Sequence, residues 1–165
     1  MNKENIQKLI DHIKTHENQF DMNYVIKSTI PPIIAGEERD SSFNSDGERL
    51  FKPSHCGTVC CMLGWTNAIS TNFEDNCYRR FHDVRKASQF LGIHVQYAAK
   101  LFFPGSGLVE EMDRGNPWYQ AHDRGLIDIN SLRNSDCYNA SASVAITVLE
   151  GIRDEVIFDI MFDED

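Results

Sequence analysis

The sequence predicts a mainly α fold: a compact single-domain bundle of five to seven helices that leaves room for one short hairpin. Apolar residues recur at helical spacing in several segments, whereas strand-like segments are few. Neither an internal repeat nor a linker divides the chain into two cores. A chain of 165 residues is long enough to bury a substantial core. We therefore predict one domain over residues 1–165, with a polar loop at 36–53 and a frayed acidic C-terminal tail.

The first third of the chain predicts one helix and one extended segment. Four apolar residues at i, i+3, i+4 and i+7 give the first helix its buried face: Ile6, Leu9, Ile10 and Ile13. The segment Tyr24 to Ile34 is rich in β-branched residues, but Pro31-Pro32 excludes a central strand. It is predicted to be a short strand or an extended crossing. The polar loop at 36–53 is long enough to be either functional or mobile.

A central helix is predicted from about Thr58 to Ser70. Val59, Met62 and Ala68 can pack inward, and small side chains let neighbouring helices approach closely: Gly57, Cys60, Cys61 and Gly64. These features predict that this helix lies at the centre of the fold.

Two helices are predicted next, over Asp83 to Leu91 and His94 to Phe103. Gly92 is expected to end the first of them, because glycine readily adopts the left-handed conformation found there. The second has an apolar face formed by Ala98, Leu101 and Phe102.

Capping residues mark the later helices. A short helix over Leu108 to Arg114 would begin behind Ser106, and Pro117 behind Asn116 is typical of a first helical residue behind its cap. The last helix is predicted from about Asn139. Its inward residues are Ala142, Ala145, Ile146, Leu149 and Ile152, and Val156, Ile157 and Ile160 can prolong it.

Charge and cysteine content limit the function classes. Acidic residues outnumber basic ones 25 to 16, for a net charge of -9. This argues against a general nucleic-acid binder, which needs a basic face. The negative net charge is consistent with ordinary solubility or with binding to a partner that has a basic surface. The chain has no membrane-length apolar stretch and no signal-peptide pattern, and its five cysteines are an odd number, so we predict free thiols in a cytoplasmic protein.

The run HCGTVCCMLGW, residues 55–65, carries the candidate chemistry. A thiol nucleophile is one interpretation, because a cysteine such as Cys56 at a helix start would have a lowered pKa. The run is also weakly similar to the Asp-Cys-Gly-x-x-Cys-Leu element of bacteriocin-processing peptidases. The candidate partners His82, His94 and His122 lie in helical or loop segments, and the β-rich second half of those enzymes is missing. We favour a buried structural cysteine, with Cys56 retained as the alternative nucleophile.

A metal site is a second interpretation of the same run. His55, Cys56, Cys60 and Cys61 offer donors, and Cys77 or His82 could add another. Their spacing is not the Cys-x-x-Cys pattern of structural zinc sites, and adjacent donors rarely converge on one tetrahedral ion. We therefore predict no metal and no cofactor.

An anion site is a third interpretation. A helix start at Gly57-Thr58 would present backbone N–H groups to a phosphate, and Arg79, Arg80 and Arg85 supply local positive charge in an acidic chain. These five residues form the predicted ligand-binding site, with the 36–53 loop as its lid. The alternative is a solvated face whose arginines pair with Asp or Glu. Trp65 and Trp118 could stack on a base or anchor the core.

Several of these segments occur together in one group of proteins. They are Phe20-Asp21-Met22, Cys56-Gly57-Thr58 with Cys60 or Cys61 and Gly64-Trp65, Ala87 to Gly92-Ile93, and Ala98 or Ala99 with Leu101-Phe102. In these the chain resembles an uncharacterised family of small bacteriophage and bacterial proteins. It departs from the family pattern by the insert from Ile34 to Pro53.

The resemblance implies a small phage-type accessory protein in the cytoplasm of a bacterial host. By analogy with such proteins, it would act by binding, as a host-defence antagonist that sequesters a nucleotide signal or blocks a host protein. Two alternatives remain: a cysteine-dependent hydrolase or transferase using Cys56, and a structural protein that forms homo-oligomers.

Overall fold

A computed structural model describes residues 1–20, 22, 27–28, 58–59, 61–72, 83–103, 115–128, 133–134, 137–138 and 140–157. The helices within these residues are α1 (Lys3–Thr15), a 3-10 helix (Glu17–Gln19), α2 (Met62–Ser70), α3 (Val84–Leu91), α4 (Val95–Phe102), α5 (Pro117–Asp123) and α6 (Ala142–Arg153). The strands are β1 (Lys27–Ser28), β2 (Thr58–Val59), β3 (Arg133–Asn134) and β4 (Cys137–Tyr138). The predicted 36–53 loop, Leu108 to Arg114 helix and acidic tail lie outside the described residues.

The mainly α fold is confirmed. Helix packs against helix throughout the described part: α1 contacts α2, α3 and α6, α3 contacts α2 and α4, and α5 contacts α4 and α6. The two strand pairs are antiparallel and two residues long. In the first, Lys27 pairs with Val59 and Ser28 with Thr58. In the second, Arg133 pairs with Tyr138 and Asn134 with Cys137.

Helix α1 forms as its sequence pattern predicts. The Asn2 side chain accepts a hydrogen bond from the Asn5 N–H (3.1 Å) and caps the first turn. The four apolar residues of α1 are buried in the core. Lys3–Glu155 and Lys14–Glu150 ion pairs join α1 to the α6 region in an antiparallel arrangement. Because these pairs lie at the surface, the apolar face contributes most of the packing free energy.

The start of α1 also closes the end of α3. The last carbonyl groups of a helix have no partner within it. Here the Asn2 N–H donates to the Leu91 oxygen (2.8 Å), and Asn5 Nδ2 donates to the Phe90 oxygen (2.7 Å). Gly92 follows with a φ of +64°, so it ends α3 as predicted.

Helix α2 is buried along most of its length and packs against α1 and α3. Its side chains from Met62 to Ala68 are all buried, including the polar Thr66 and Asn67. The Thr66 hydroxyl donates to the Met62 oxygen (2.6 Å), and Asn67 Nδ2 donates to the Asp83 oxygen (3.2 Å). Hydrogen bonding of this kind makes burial of these polar groups tolerable.

The predicted start of this helix at Thr58 is wrong. Thr58 and Val59 form β2, and α2 begins at Met62 with Cys61 as its N-terminal flanking residue. Both residues of β2 are β-branched and fit an extended backbone. Their pairing with Lys27 and Ser28 adds a long-range contact that the local sequence does not reveal.

Side chains cap the starts of α3 and α5, and of these two caps the sequence predicted Asn116. Asp83 Oδ1 accepts from the Lys86 N–H (3.0 Å), and Asn116 Oδ1 accepts from the Trp118 N–H (2.9 Å). Pro117 occupies the first position of α5. The Trp118 indole then reaches α4, where Nε1 donates to the Leu101 oxygen (3.0 Å).

The last helix is shorter than predicted. Ser141 caps it, and it ends at Arg153, so the extension through Val156 and Ile157 is wrong. The Glu155 N–H donates to the Ile152 oxygen (3.0 Å) and the Val156 N–H to the Gly151 oxygen (2.9 Å). This Schellman-type ending turns Ile157 back into the core, over the side-chain-free surface of Gly151. Ile160 lies outside the described residues.

Glu155 occupies a backbone conformation that favours glycine, with a φ of +60°. We expect Glu155→Gly to raise the unfolding free energy by about 0.5 kcal/mol. Relief of left-handed strain, about 1 kcal/mol, exceeds the entropy that glycine costs. Denaturant unfolding measures the change. Glu155→Ala is the matched control, since it removes the exposed Lys3 ion pair but keeps the strain, and it should not stabilise. Equal stabilisation by both variants would contradict this explanation.

Candidate functional site

The predicted anion site does not lie at the N-terminus of a helix. Thr58 lies in β2, four residues before α2 begins, so no helix field is centred on it. Gly57 lies outside the described residues. The start of α2 itself is enclosed, because Cys61, Met62 and Leu63 are buried. A phosphate group would therefore not meet the exposed helix start that the sequence predicted at Gly57-Thr58.

The same finding weakens the argument for Cys56 as a nucleophile. A lowered thiol pKa depended on Cys56 lying at a helix start, and α2 begins six residues later, at Met62. Cys56 and Cys60 lie outside the described residues. Cys61 carries a buried thiol at the base of α2.

Two of the three histidines that could partner Cys56 form hydrogen bonds with backbone groups. His94 Nδ1 accepts a hydrogen bond from the Gln96 N–H (3.3 Å) and caps α4. His122 Nδ1 donates to the Ile127 oxygen (3.2 Å) beyond the end of α5. Both roles are structural, and His82 lies outside the described residues.

Arg85 is the one predicted basic ligand residue that the structure describes. It is exposed on the first turn of α3. Within the described part of the chain, its guanidinium group forms no ion pair. The ion pairs found there involve Lys3, Lys8, Lys14 and Arg153, on α1 and around α6. Arg79 and Arg80 lie outside the described residues. Among the described residues, no carboxylate therefore neutralises the charge of Arg85.

The resolved pKa shifts in the described residues belong to surface ion pairs away from Arg85. A hydrogen bond from Lys8 lowers the pKa of Glu4. A hydrogen bond between Arg153 and Asp154 lowers the pKa of the carboxyl group and raises that of the guanidinium group. These shifts reflect solvated pairs and do not mark a catalytic acid or base.

Both tryptophans are core residues. Trp118 is fully buried, and Trp65 is only 4% exposed. Neither ring presents an open face on which a nucleobase could stack, so the core interpretation of these residues is the correct one.

Sequence reasoning missed an aromatic stack between α1 and α2. The rings of His12 and His16 stack with centroids 4.3 Å apart, and Trp65 meets His12 edge-on at 4.3 Å. His16 Nδ1 donates to the His12 backbone oxygen (3.0 Å). The i, i+4 spacing of His12 and His16 at the C-terminal end of α1 was the available signal. The stack joins the end of α1 to the Gly64-Trp65 end of the cysteine run.

Metal-ligating side chains do not cluster in the part of the chain that the structure describes. Within those ranges, no three His, Cys, Asp or Glu side chains converge. His55, Cys56, Cys60, Cys77 and His82 lie outside them.

We expect well under one zinc ion per chain in protein purified without chelator, because the ligand spacing in residues 55–61 does not suit tetrahedral coordination. Elemental analysis by inductively coupled plasma mass spectrometry measures this directly. A stoichiometric zinc content, lost together with folding on chelation, would show that the prediction is wrong. It would make His55 and the neighbouring cysteines ligands.

Comparisons with protein-family models, curated proteins and solved structures found no match. The resemblance to small phage and bacterial proteins therefore stays a prediction from the motif residues. No helix in the described part of the chain is long and apolar enough to cross a membrane.

Proposed function

We propose that this protein acts by binding, as a phage-type accessory protein that holds a small anionic ligand at the basic segment Arg79 to Arg85. A nucleotide signal of a bacterial host is the ligand class that we favour, with the host cytoplasm as the place of action. The observation that carries the proposal is Arg85, which is exposed on α3 and has no acidic partner in the described structure.

Electrostatics explains why this segment is the candidate. A chain with a net charge of -9 repels anions overall, so a phosphate must find a local positive field. Arg79, Arg80 and Arg85 concentrate three guanidinium groups within seven residues. Guanidinium groups can bind phosphate oxygens through paired hydrogen bonds. The basic groups of α1 do not compete for this role, because Lys3, Lys8 and Lys14 have carboxylate partners.

The first turn of α3 adds a constraint on how the ligand is held. The Asp83 carboxylate already accepts the Lys86 N–H at the start of this helix. The Lys86 N–H is therefore not available to a ligand, and the contacts that we propose come from the arginine side chains. Gly57 could contribute only its backbone N–H group and Thr58 its hydroxyl group, and neither gains the electrostatic field of a helix N-terminus.

A charge-reversal experiment tests the proposal. We expect Arg79→Glu with Arg80→Glu to weaken nucleotide binding by at least about tenfold, because each lost guanidinium contact is replaced by repulsion. Isothermal titration with a panel of mononucleotides, cyclic nucleotides and cyclic dinucleotides measures the affinity. Arg85→Glu should weaken the same ligand, and circular dichroism checks that each variant folds.

The matched control is Lys3→Glu with Lys8→Glu, which makes the same change in net charge on the exposed face of α1. Ligand affinity should change little in this variant. Equal weakening in both double variants would show that only net charge matters. Absence of binding to the whole panel by the unmodified protein would also contradict the proposal, and would favour action on a host protein.

A further inference from the structure

Two titratable rings are in direct contact where the end of α1 meets α2. The imidazoles of His12 and His16 are both half-buried, with centroids 4.3 Å apart and ring planes inclined by 27°. The buried indole of Trp65 on α2 lies 4.3 Å from the ring of His12 and 6.0 Å from that of His16. The protonation state of the two imidazoles therefore bears directly on a contact between two core helices.

The stack accommodates one proton more readily than two. The C-terminal end of a helix carries partial negative charge, which favours a single imidazolium ion at the end of α1. His16 Nδ1 donates to the His12 oxygen (3.0 Å), a hydrogen bond that neutral and protonated imidazole can both make. Two imidazolium ions at this separation repel each other, and their half-buried position reduces the screening by water. The second proton therefore destabilises the stack.

The other charged side chains near the stack, within the described part of the chain, are exposed or in ion pairs of their own. They are Lys8 paired with Glu4, Lys14 paired with Glu150 of α6, Asp11, and Glu17 of the 3-10 helix. The described residues of α2 and β2 bring the buried thiol of Cys61 and no charged side chain. Helix α3 meets α1 at its opposite end, at Asn2 and Asn5. Among these groups, the imidazoles are the ones that ordinarily change charge between pH 7 and pH 5.

We propose that the stack of His12, His16 and Trp65 is a pH-sensitive contact between α1 and α2, closed while the two imidazoles hold at most one proton and opened by the second. An imidazole in water takes up its proton near pH 6.5. Below that pH the unfolded chain binds two protons where the closed stack binds one. The stack therefore stabilises the fold above about pH 6.5, and this contribution is lost as the pH falls toward 5.

Opening of the stack uncovers Trp65, at the end of the cysteine run, while the rest of the core stays folded. Trp118 remains buried, because it lies in α5 and donates to the Leu101 oxygen of α4. This device does not involve the Arg79 to Arg85 segment, so it goes beyond the proposed function and does not depend on it.

The pH dependence of stability tests the proposal. Between pH 6 and pH 5, we expect the unfolding equilibrium constant to rise more in the unmodified protein than in His16→Gln, by up to about tenfold per pH unit. The variant has one imidazole at the junction and so lacks the repulsion. His122→Gln is the matched control, since His122 Nδ1 donates to the Ile127 oxygen (3.2 Å) on another helix. It should follow the unmodified protein.

Quenching of tryptophan fluorescence by acrylamide distinguishes opening of the stack from loss of the whole fold. Both tryptophans are buried and should be protected at pH 7.5. At pH 5 we expect one of them to become accessible in the unmodified protein, with an unchanged far-ultraviolet circular dichroism spectrum. Absence of this signal in Trp65→Phe identifies it. In His16→Gln the quenching should be the same at both pH values.

Proton NMR of the histidine rings gives a direct measure of the protons taken up. We expect His12 and His16 to titrate in two separate steps in the unmodified protein, and His12 to titrate in one step in His16→Gln. Two independent titrations near pH 6.5 with Trp65 protected throughout would overturn the proposal. An equal pH dependence of stability in the unmodified protein and in His16→Gln would overturn it as well.

Discussion

Replacing Trp118 by alanine is expected to lower the unfolding free energy by about 3–5 kcal/mol, the largest effect that we expect of a single substitution. The side chain is fully buried, so its removal leaves a large cavity between α4 and α5. The change also removes the hydrogen bond from Nε1 to the Leu101 oxygen. Chemical denaturation followed by circular dichroism measures the effect.

Trp118→Phe separates the two contributions to this effect. Phenylalanine fills most of the space but cannot donate to the Leu101 oxygen, which lies in the last turn of α4. Its expected cost is about 1–3 kcal/mol. If Trp118→Ala unfolds at the same denaturant concentration as the unmodified protein, the packing of α5 against α4 is wrong.

Replacing Gly92 by alanine is expected to cost about 2–3 kcal/mol, the second largest effect. Its φ of +64° makes any side chain costly by about 1 kcal/mol. In addition, a Cβ atom would lie 2.7 Å from the Asn2 nitrogen, a backbone atom that cannot simply rotate away. Moving Asn2 would break its hydrogen bond to the Leu91 oxygen, which joins α1 to α3.

Gly125→Ala is the matched control for this prediction. Its φ of +68° gives the same backbone penalty, but no atom lies within 4 Å of the added Cβ. It should therefore cost only about 1 kcal/mol. Equal costs at the two glycines would contradict the close contact between the start of α1 and the end of α3.

The sequence predicted the helices well, because helix formation depends mainly on residues that are close together in the chain. The apolar spacing of α1, the Asn116 cap and the glycine after α3 each act within a few residues. One error arose from a long-range strand pair and the other from the local turn that ends α6. Thr58 is extended because it pairs with Ser28, and Ile157 leaves the line of α6 because it packs over Gly151.

The candidate site was only partly predictable for the same reason. An exposed Arg85 on α3 follows from the helical pattern and agrees with the structure. Phosphate binding at Gly57 and Thr58 and a lowered pKa at Cys56 both required a helix that begins near Thr58, but α2 begins at Met62 and Thr58 pairs with Ser28 in a strand. The stack of His12 and His16 on Trp65 needed the packing of α1 against α2, which spacing alone does not give.

Native mass spectrometry of the protein after incubation with the small-molecule fraction of a bacterial extract tests the central claim most directly. The proposed binding function predicts a phosphate-containing adduct on the unmodified protein. It predicts the loss of that adduct in Arg79→Glu with Arg80→Glu, and its retention in Lys3→Glu with Lys8→Glu. An unmodified protein that carries no adduct, or a double arginine variant that carries the same one, would contradict the account.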